Sequence, residues 1–335
     1  MASDKRPKRP TLKELAKEAG VSVASASYAL NGNGSVGVQM REHILEVARR
    51  IGYRQNATAR AMKMGRSKAL GLVLPDLTNP FFPSFAQAVV QTARDHQYGV
   101  FLIDTEGSED LESDALTMLA DRGVDGIIWF PVRDVDTSRG VLADVPTVVV
   151  DRSIPGFDTV LADYAHGGRL AAACLIEAGH RRIGVISGPD DISCMRERCD
   201  AAVDYIERHG EVAFRVVNAF SIDLEPTVVE ALDTGDATAV FAGADVIALG
   251  VLRHLANRGR SAPQDLSVIG FDDISWSELS SPPLTTIDMP LYAMAVEAVQ
   301  AVLRRIENGE GGEGPRRSAV LGTSLVSRAS VSRRT

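Results

Sequence analysis

Cysteine is scarce in this 335-residue chain: Cys174, Cys194 and Cys199 are the only three. They are odd in number and form no C-x-x-C pair. That excludes a disulfide framework and a cysteine-rich zinc site, and it fits a reducing compartment. No apolar run reaches the roughly 18 residues that a membrane helix needs. The basic opening MASDKRPKRP is followed by no apolar stretch, so no secretory signal is expected. The six histidines are scattered, and H-E-x-x-H, P-loop and G-x-S-x-G patterns are all missing. Asp272 and Asp273 are adjacent at the end of an apolar run, where successive side chains point apart, so they make no catalytic pair. Nothing pairs a nucleophile with a base. Neither an enzyme nor a cofactor or metal is expected.

What is present is the balance of a soluble globular protein, 45% hydrophobic and 24% charged, in a length that suggests two or three domains. The net charge of −8 hides a split. The first 66 residues hold 13 Lys and Arg against 5 Asp and Glu, while the other 269 hold 23 against 39. A short basic head that meets a polyanion, attached to a larger acidic body with another task, fits this distribution. A solvated basic tail is the plainer alternative.

The head reads as short helices. Thr11-Leu-Lys-Glu14 is a capping box, and the helix it opens places Leu12, Leu15, Ala16 and Ala19 on one face until Gly20. Val21 links to Ser22, which caps a second helix from Val23 to about Leu30, with Asn31-Gly32 as its stop. Two such helices joined by a three-residue turn have helix-turn-helix spacing. A third helix, about Gln39 to Ile51, closes the small core. A fourth segment runs from Ala57 to Met64 after the cap Asn56. It is Ala-rich, basic and too short to be stable alone, so it is expected to be a linker that turns helical only when held.

The segments TLKELAKEAGVSVASASYALNG, GYRQNATARAMKMGRS and GLVLPDLTNPFF resemble the lactose/purine repressor (LacI) family. The blocks GHRRIGVISGP, AVFAGAD, APQDLSVIGFDD and SPPLTTID continue the resemblance in order towards the C-terminus. For the head, the resemblance implies DNA contact by Leu12, Ser22, Val23, Ala24, Ser25, Ser27, Tyr28 and Asn31. Val23, Ala24 and Tyr28 match base-reading positions, and Ser25 and Ser27 match phosphate contacts. Tyr28 departs from the Arg of many members. It lacks that residue's bidentate contact to guanine, so readout by apolar contact is expected; packing against the third helix is the alternative. In the linker, Asn56, Ala59, Met62 and Lys63 match hinge positions. Met62 stands where members carry a Leu wedged into the minor groove.

From Ala69 onward, short apolar runs alternate with amphipathic stretches. The runs are Leu70–Leu74, Val100–Ile103, Gly126–Phe130 and Thr147–Val150, then Ile183–Ile186, Val216–Val217, Ala239–Phe241 and Ser267–Phe271. The stretches include Phe85–Asp95, Leu111–Asp121, Tyr164–Ala178 and Ile247–Asn257. Strand–helix alternation means parallel sheets covered on both faces. The resemblance implies a two-lobed periplasmic-binding-protein type I body behind an α-helical helix-turn-helix head. The expected divisions are a headpiece at 1–54 and a hinge at 55–68. One lobe would comprise 69–161 with 288–318, the other 162–287 with 319–335.

Ligands of such sheets bind at the carboxyl ends of strands, here between lobes. Candidate effector residues are Asp76, Asn79, Phe81 and Phe82 after the first strand, Asp151 and Arg152 after the fourth, and Asp245 and Asp272 at strand ends of the second lobe. The resemblance further implies Arg198, which matches the family's effector-contacting Arg, and Phe220, which falls where some members place an aromatic that stacks on the effector. Asp accepts paired hydroxyls, and Arg donates to hydroxyls or a carboxylate. Bland alternatives stand beside these: helix caps for Asp76, Asp245 and Asp272, core or dimer contacts for the two phenylalanines, surface ion pairs for the two arginines. Ala244 and Tyr164 replace asparagines of the family. That points to an effector other than a common simple sugar. The whole reads as a cytoplasmic, nucleoid-associated transcriptional regulator, most simply a repressor. Its expected partners are double-stranded DNA with a roughly palindromic operator, a sugar-like effector and a second copy of itself, with no membrane. The tail SLVSRASVSRRT has no leucine heptads, so a homodimer is expected and not a coiled-coil tetramer. A sensor whose head docks other partners, or an α/β enzyme tethered to DNA, are the competing classes.

Overall fold

The computed structural model describes residues 10–31, 36–53, 65–309 and 315–334. The side chain of Asn31 and the hinge positions Asn56, Ala59, Met62 and Lys63 lie outside the described residues. The chain forms two compact units, Met1–Ser67 and Lys68–Thr335.

In the first unit the Thr11 hydroxyl accepts the Glu14 N–H at 3.3 Å, and the Glu14 carboxylate accepts the Thr11 N–H at 2.6 Å. This reciprocal pair opens α1 (Leu12–Glu18). Gly20, at φ +65°, turns the chain. Ser22 Oγ then accepts the Ser25 N–H at 3.0 Å and opens α2 (Val23–Asn31). The third helix, α3 (Val38–Ile51), ends on left-handed Gly52. Leu15, Ala19, Ala29, Ile44, Val47 and Ala48 meet in the small core that these helices enclose.

The second unit holds two parallel sheets. Its first lobe contains β1 (Ala69–Leu74), α4 (Phe81–Asp95), β2 (Gly99–Asp104), α5 (Glu109–Asp121), β3 (Gly126–Trp129), β4 (Thr147–Val150) and β5 (Asp158–Ala162). The chain then enters the second lobe with α6 (Tyr164–Glu177), β6 (Arg182–Ser187), α7 (Ser193–His209), β7 (Glu211–Val217), α8 (Pro226–Thr234), β8 (Ala239–Ala242), α9 (Asp245–Asn257), β9 (Ser267–Ile269) and α10 (Ser275–Leu279). It returns through β10 (Thr286–Asp288) to α11 (Leu291–Asn308) and β11 (Ser318–Leu321), and leaves again through β12 (Ser324–Val326). The sheet orders are β11-β5-β4-β3-β1-β2 and β7-β6-β8-β9, with β10 and β12 as an antiparallel ribbon between the crossings.

Side chains on β1, β3 and β4 alternate between two apolar layers. Leu72, Ile128 and Val148 face one layer; Val73, Ile127 and Val149 face the other. This is the signature of a sheet buried on both faces.

Three sequence expectations need correction. The expected lobe boundary at 318/319 cuts through β11, whose residues Ser318–Leu321 all pair with β5 in the first sheet. Helix α4 starts at Phe81, not Phe85, because the Asn79 side-chain oxygen accepts the Phe81 N–H at 3.1 Å and Pro83 falls in the first turn, where its missing N–H costs nothing. Strand β7 is seven residues long, not two. It lies at a sheet edge with mixed side chains, so no apolar run betrays it.

Candidate recognition face and ligand cleft

Helix α2 is two-faced. Ala26 and Ala29 are buried, whereas Val23 is 43% and Tyr28 48% exposed, and Ala24 is exposed beside them. Tyr28 is therefore not a core residue. Ser25 and Ser27 are half-buried at the edges of that face, and Leu12 leans partly on the head core. The open face offers small apolar groups and one phenol, which suits contact with thymine methyls better than bidentate reading of guanine.

The cleft begins with two glycines. A Cβ on Gly168 would sit 1.9 Å from the Arg198 carbonyl oxygen, and one on Gly167 would sit 2.7 Å from the Phe271 ring. Only bare backbone on α6 lets α7 approach this closely. The approach lays the Arg198 guanidinium 3.9 Å from the Phe271 ring centroid. From there it donates to the Gly243 carbonyl at 2.9 Å and to Asp272 at 3.1 Å. On the opposite wall Asp151 follows β4 in the left-handed region, at φ +66°. Its carboxylate accepts from the Arg152 guanidinium and the Tyr164 hydroxyl. Arg152 also donates to Cys194 Sγ at 3.1 Å. Asp272, at φ +116°, is a second non-glycine in that region. Such conformations cluster at ligand clamps, where the surroundings hold them in place.

Between the walls lies a cavity of about 270 Å³. Arg133, Arg152 and Arg198 border it, and each faces a carboxylate: Asp191 at 2.8 Å, Asp151, and Asp272. Burial pushes Asp272 up to about 7, although Arg198 pulls the other way. Burial also pushes Asp245 up to about 8, with Asp272 adding to it. The Cys194 thiol rises to about 12 for the same first reason, so it is a neutral hydrogen-bonding group and not a nucleophile. For Arg152, burial opposes the charge, but the Asp151 carboxylate beside it outweighs burial and the net shift is upward.

Residues 11–56 match the family model of bacterial regulatory proteins of the lacI family, and residues 172–331 match a periplasmic binding protein-like domain. The ribose operon repressor of Halalkalibacterium halodurans is 32% identical over 305 residues, which cover 89% of this chain and 90% of that protein. The chain belongs to the lacI family. Its structure resembles that of the transcriptional regulator CelR in complex with cellobiose (27% identity, TM-score 0.70, 96% of this chain and 100% of that one). It also shares the fold of the lac repressor dimer bound to operator and an anti-inducer (24% identity, TM-score 0.86, 97% of this chain and 100% of that one). This lacI-family chain is a DNA-binding transcriptional regulator with a ligand-binding body. Among its described residues no helix is long and apolar enough to cross a membrane.

Of the expected effector residues, Asp76, Asn79, Phe81, Phe82, Asp151, Arg152, Arg198, Phe220 and Asp272 all border the one cavity. Phe81 also packs edge-on against Phe82 and Phe130, so it is wall and core at once. Asp245 is the correction. It is fully buried and turned away from the cavity, and its carboxylate accepts from the Ile274 N–H at 3.0 Å, Ser277 Oγ at 2.6 Å and Thr286 Oγ1 at 2.6 Å. It braces the loop that presents Asp272. Ala244 and Tyr164 do not border the cavity either, so their replacement of asparagine does not count against a simple sugar. Sequence reasoning missed Val132, Arg133, Asp191, Ile192 and Met289. Most follow the ends of β3 and β6, so the rule of strand carboxyl ends would have flagged them had it been applied to every strand. Met289 follows β10, a three-residue strand too short to show as an apolar run.

Proposed function

We propose that this regulator is a homodimeric repressor that binds a roughly palindromic operator and releases or tightens its grip when a small uncharged polyol of monosaccharide size fills the cleft. The observation that carries the reading is one chain holding both an exposed recognition face on α2 and a buried, charge-balanced cavity. Each cavity arginine already faces a carboxyl group, so little spare positive charge invites an anionic ligand. Paired Arg and Asp groups with Phe81, Phe82 and Phe220 alongside match hydroxyls and a ring face. The volume of about 270 Å³ falls just short of the roughly 300–1,000 Å³ usual for drug-sized ligands. The named functions of the relatives, a ribose operon and a cellobiose complex, lend support to a sugar. The chain works in the cytoplasm, on the nucleoid, and has no catalytic role. Asp272 is committed to Arg198 and Asp273 to Arg328 at 2.7 Å, so the adjacent carboxyls serve different partners.

Ligand and DNA are linked if cleft closure changes the spacing of two hinge segments in a dimer, which include Ala59, Met62 and Lys63. Coupling of about 1–3 kcal/mol is usual for such linkage. The test is footprinting of the full chain on genomic fragments, with and without D-ribose and other pentoses and hexoses. The expected result is a protected, roughly palindromic stretch whose occupancy one sugar changes at least fivefold. No protected stretch under any condition would overturn the reading.

A further inference from the structure

The loop that leaves β3 is pinned at its root and reaches into the other lobe at its tip. At the root, the fully buried Glu112 carboxylate of α5 accepts the Trp129 indole N–H at 3.0 Å, the Val132 N–H at 2.7 Å and the Thr137 hydroxyl at 2.5 Å. These three donors fix residues 129–137 to the first lobe. At the tip, Arg133 joins Glu109 of its own lobe at 3.2 Å to Asp191 of the second lobe at 2.8 Å. Asp134 accepts the Ser193 N–H at 2.5 Å and the Ser193 hydroxyl at 2.9 Å.

Ser193 is the first residue of α7, and the residue before it, Ile192, has no side chain able to cap. Helix N-termini leave unpaired N–H groups and a partial positive charge, which a carboxylate satisfies best. Helix α7 obtains that group from the opposite lobe. Asp134 also lies 3.9 Å from Arg196 and 4.0 Å from Arg152, whose Nε is buried without a hydrogen-bond partner. Opening the lobes returns the Asp134 carboxylate and the α7 N-terminus to water separately.

We infer that Asp134 is a positioning residue for the effector response: it caps α7 across the cleft, so the closed lobes and the ordered helix that carries Cys194 and Arg198 stabilise each other. The inference rests on the reading of the cleft as the effector site. Its first test needs no effector. Hydrogen exchange of the ligand-free full chain is followed by mass spectrometry over residues 190–198, with residues 203–209 at the far end of α7 as internal reference. Asp134→Ala is expected to speed exchange of the first segment by about three- to thirtyfold, the usual range for losing a helix cap, and to leave the reference segment unchanged. Asp134→Asn keeps an acceptor but loses the charge, and should fall between. Unchanged exchange in Asp134→Ala would overturn the inference. Equal acceleration of both segments would also do so, since the carboxylate would then merely support folding. In a second arm D-ribose is the probe in a thermal-shift titration. If the native chain binds it, Asp134→Ala should need several-fold more, and equal affinity would count against the clasp. If the native chain ignores it, the fault lies with the sugar reading, and the exchange result still decides the clasp.

Discussion

The proposed recognition face of the head and the wall of the cleft are built in opposite ways. The head presents Val23, Ala24 and Tyr28 from one helix, exposed and apart from buried charge. The cleft assembles Asp151, Arg152, Arg198 and Asp272 from segments far apart in sequence, nearly all of them withdrawn from solvent and tied to one another. An exposed face changes its specificity by one substitution without risk to the fold. A buried network does not, because each member neutralises another and removal of one leaves a charge stranded. The head is therefore tolerant and additive, the cleft coupled.

The strongest way to break that contrast is Arg198→Ala. It strands Asp272 beneath the cleft and removes the cation stacked on Phe271. Losing one partner of a buried pair costs about 3–5 kcal/mol of folding stability, so thermal denaturation should show a clearly lowered melting temperature of the body. A loss below about 1 kcal/mol would mean that the network is not coupled. Next in size is Gly168→Ala. A methyl 1.9 Å from a backbone oxygen has no flexible neighbour to displace. Overpacking of this kind costs about 1–3 kcal/mol, and thermal denaturation should show it as a lowered melting temperature of the body. Smallest is Tyr28→Ala on the head. With the ring 48% exposed, the head should melt as before, while a mobility-shift titration on the selected operator should show about tenfold weaker binding, the scale of one lost contact at a base edge. Unfolding of the head by this change would place Tyr28 in the core after all.

Legibility in the sequence follows the same divide. The capping box at Thr11, the stop at Gly20 and the cap at Ser22 are local, so the head's helices could be placed to within a residue or two. The strands of the double-faced sheets announce themselves as apolar runs, as in Thr147–Val150. Edge strands such as β7 do not, because only one flank of the chain is paired. Within the cleft, the aspartates and phenylalanines at strand ends are readable from the rule that ligands sit there. What cannot be read is direction. Asp245 and Asp272 both end strands of one lobe, yet one faces the cavity and the other an interior loop, and only the packing around Ser277 and Thr286 separates them. Gly167 and Gly168 look like helix weaknesses until the opposing helix is known.

The three passages of chain between the lobes are not independent threads. The Asp163 N–H donates to the Leu321 carbonyl at 2.8 Å, and the Thr323 hydroxyl donates to the Asp163 carbonyl at 3.1 Å. The third passage, through β10, is zipped to β12 along Thr286–Asp288. Strands fastened side by side bend together like a strip of cloth, but resist shear and slip. The lobes should therefore swing about a single line, and anything seated in the cleft would act on that one motion.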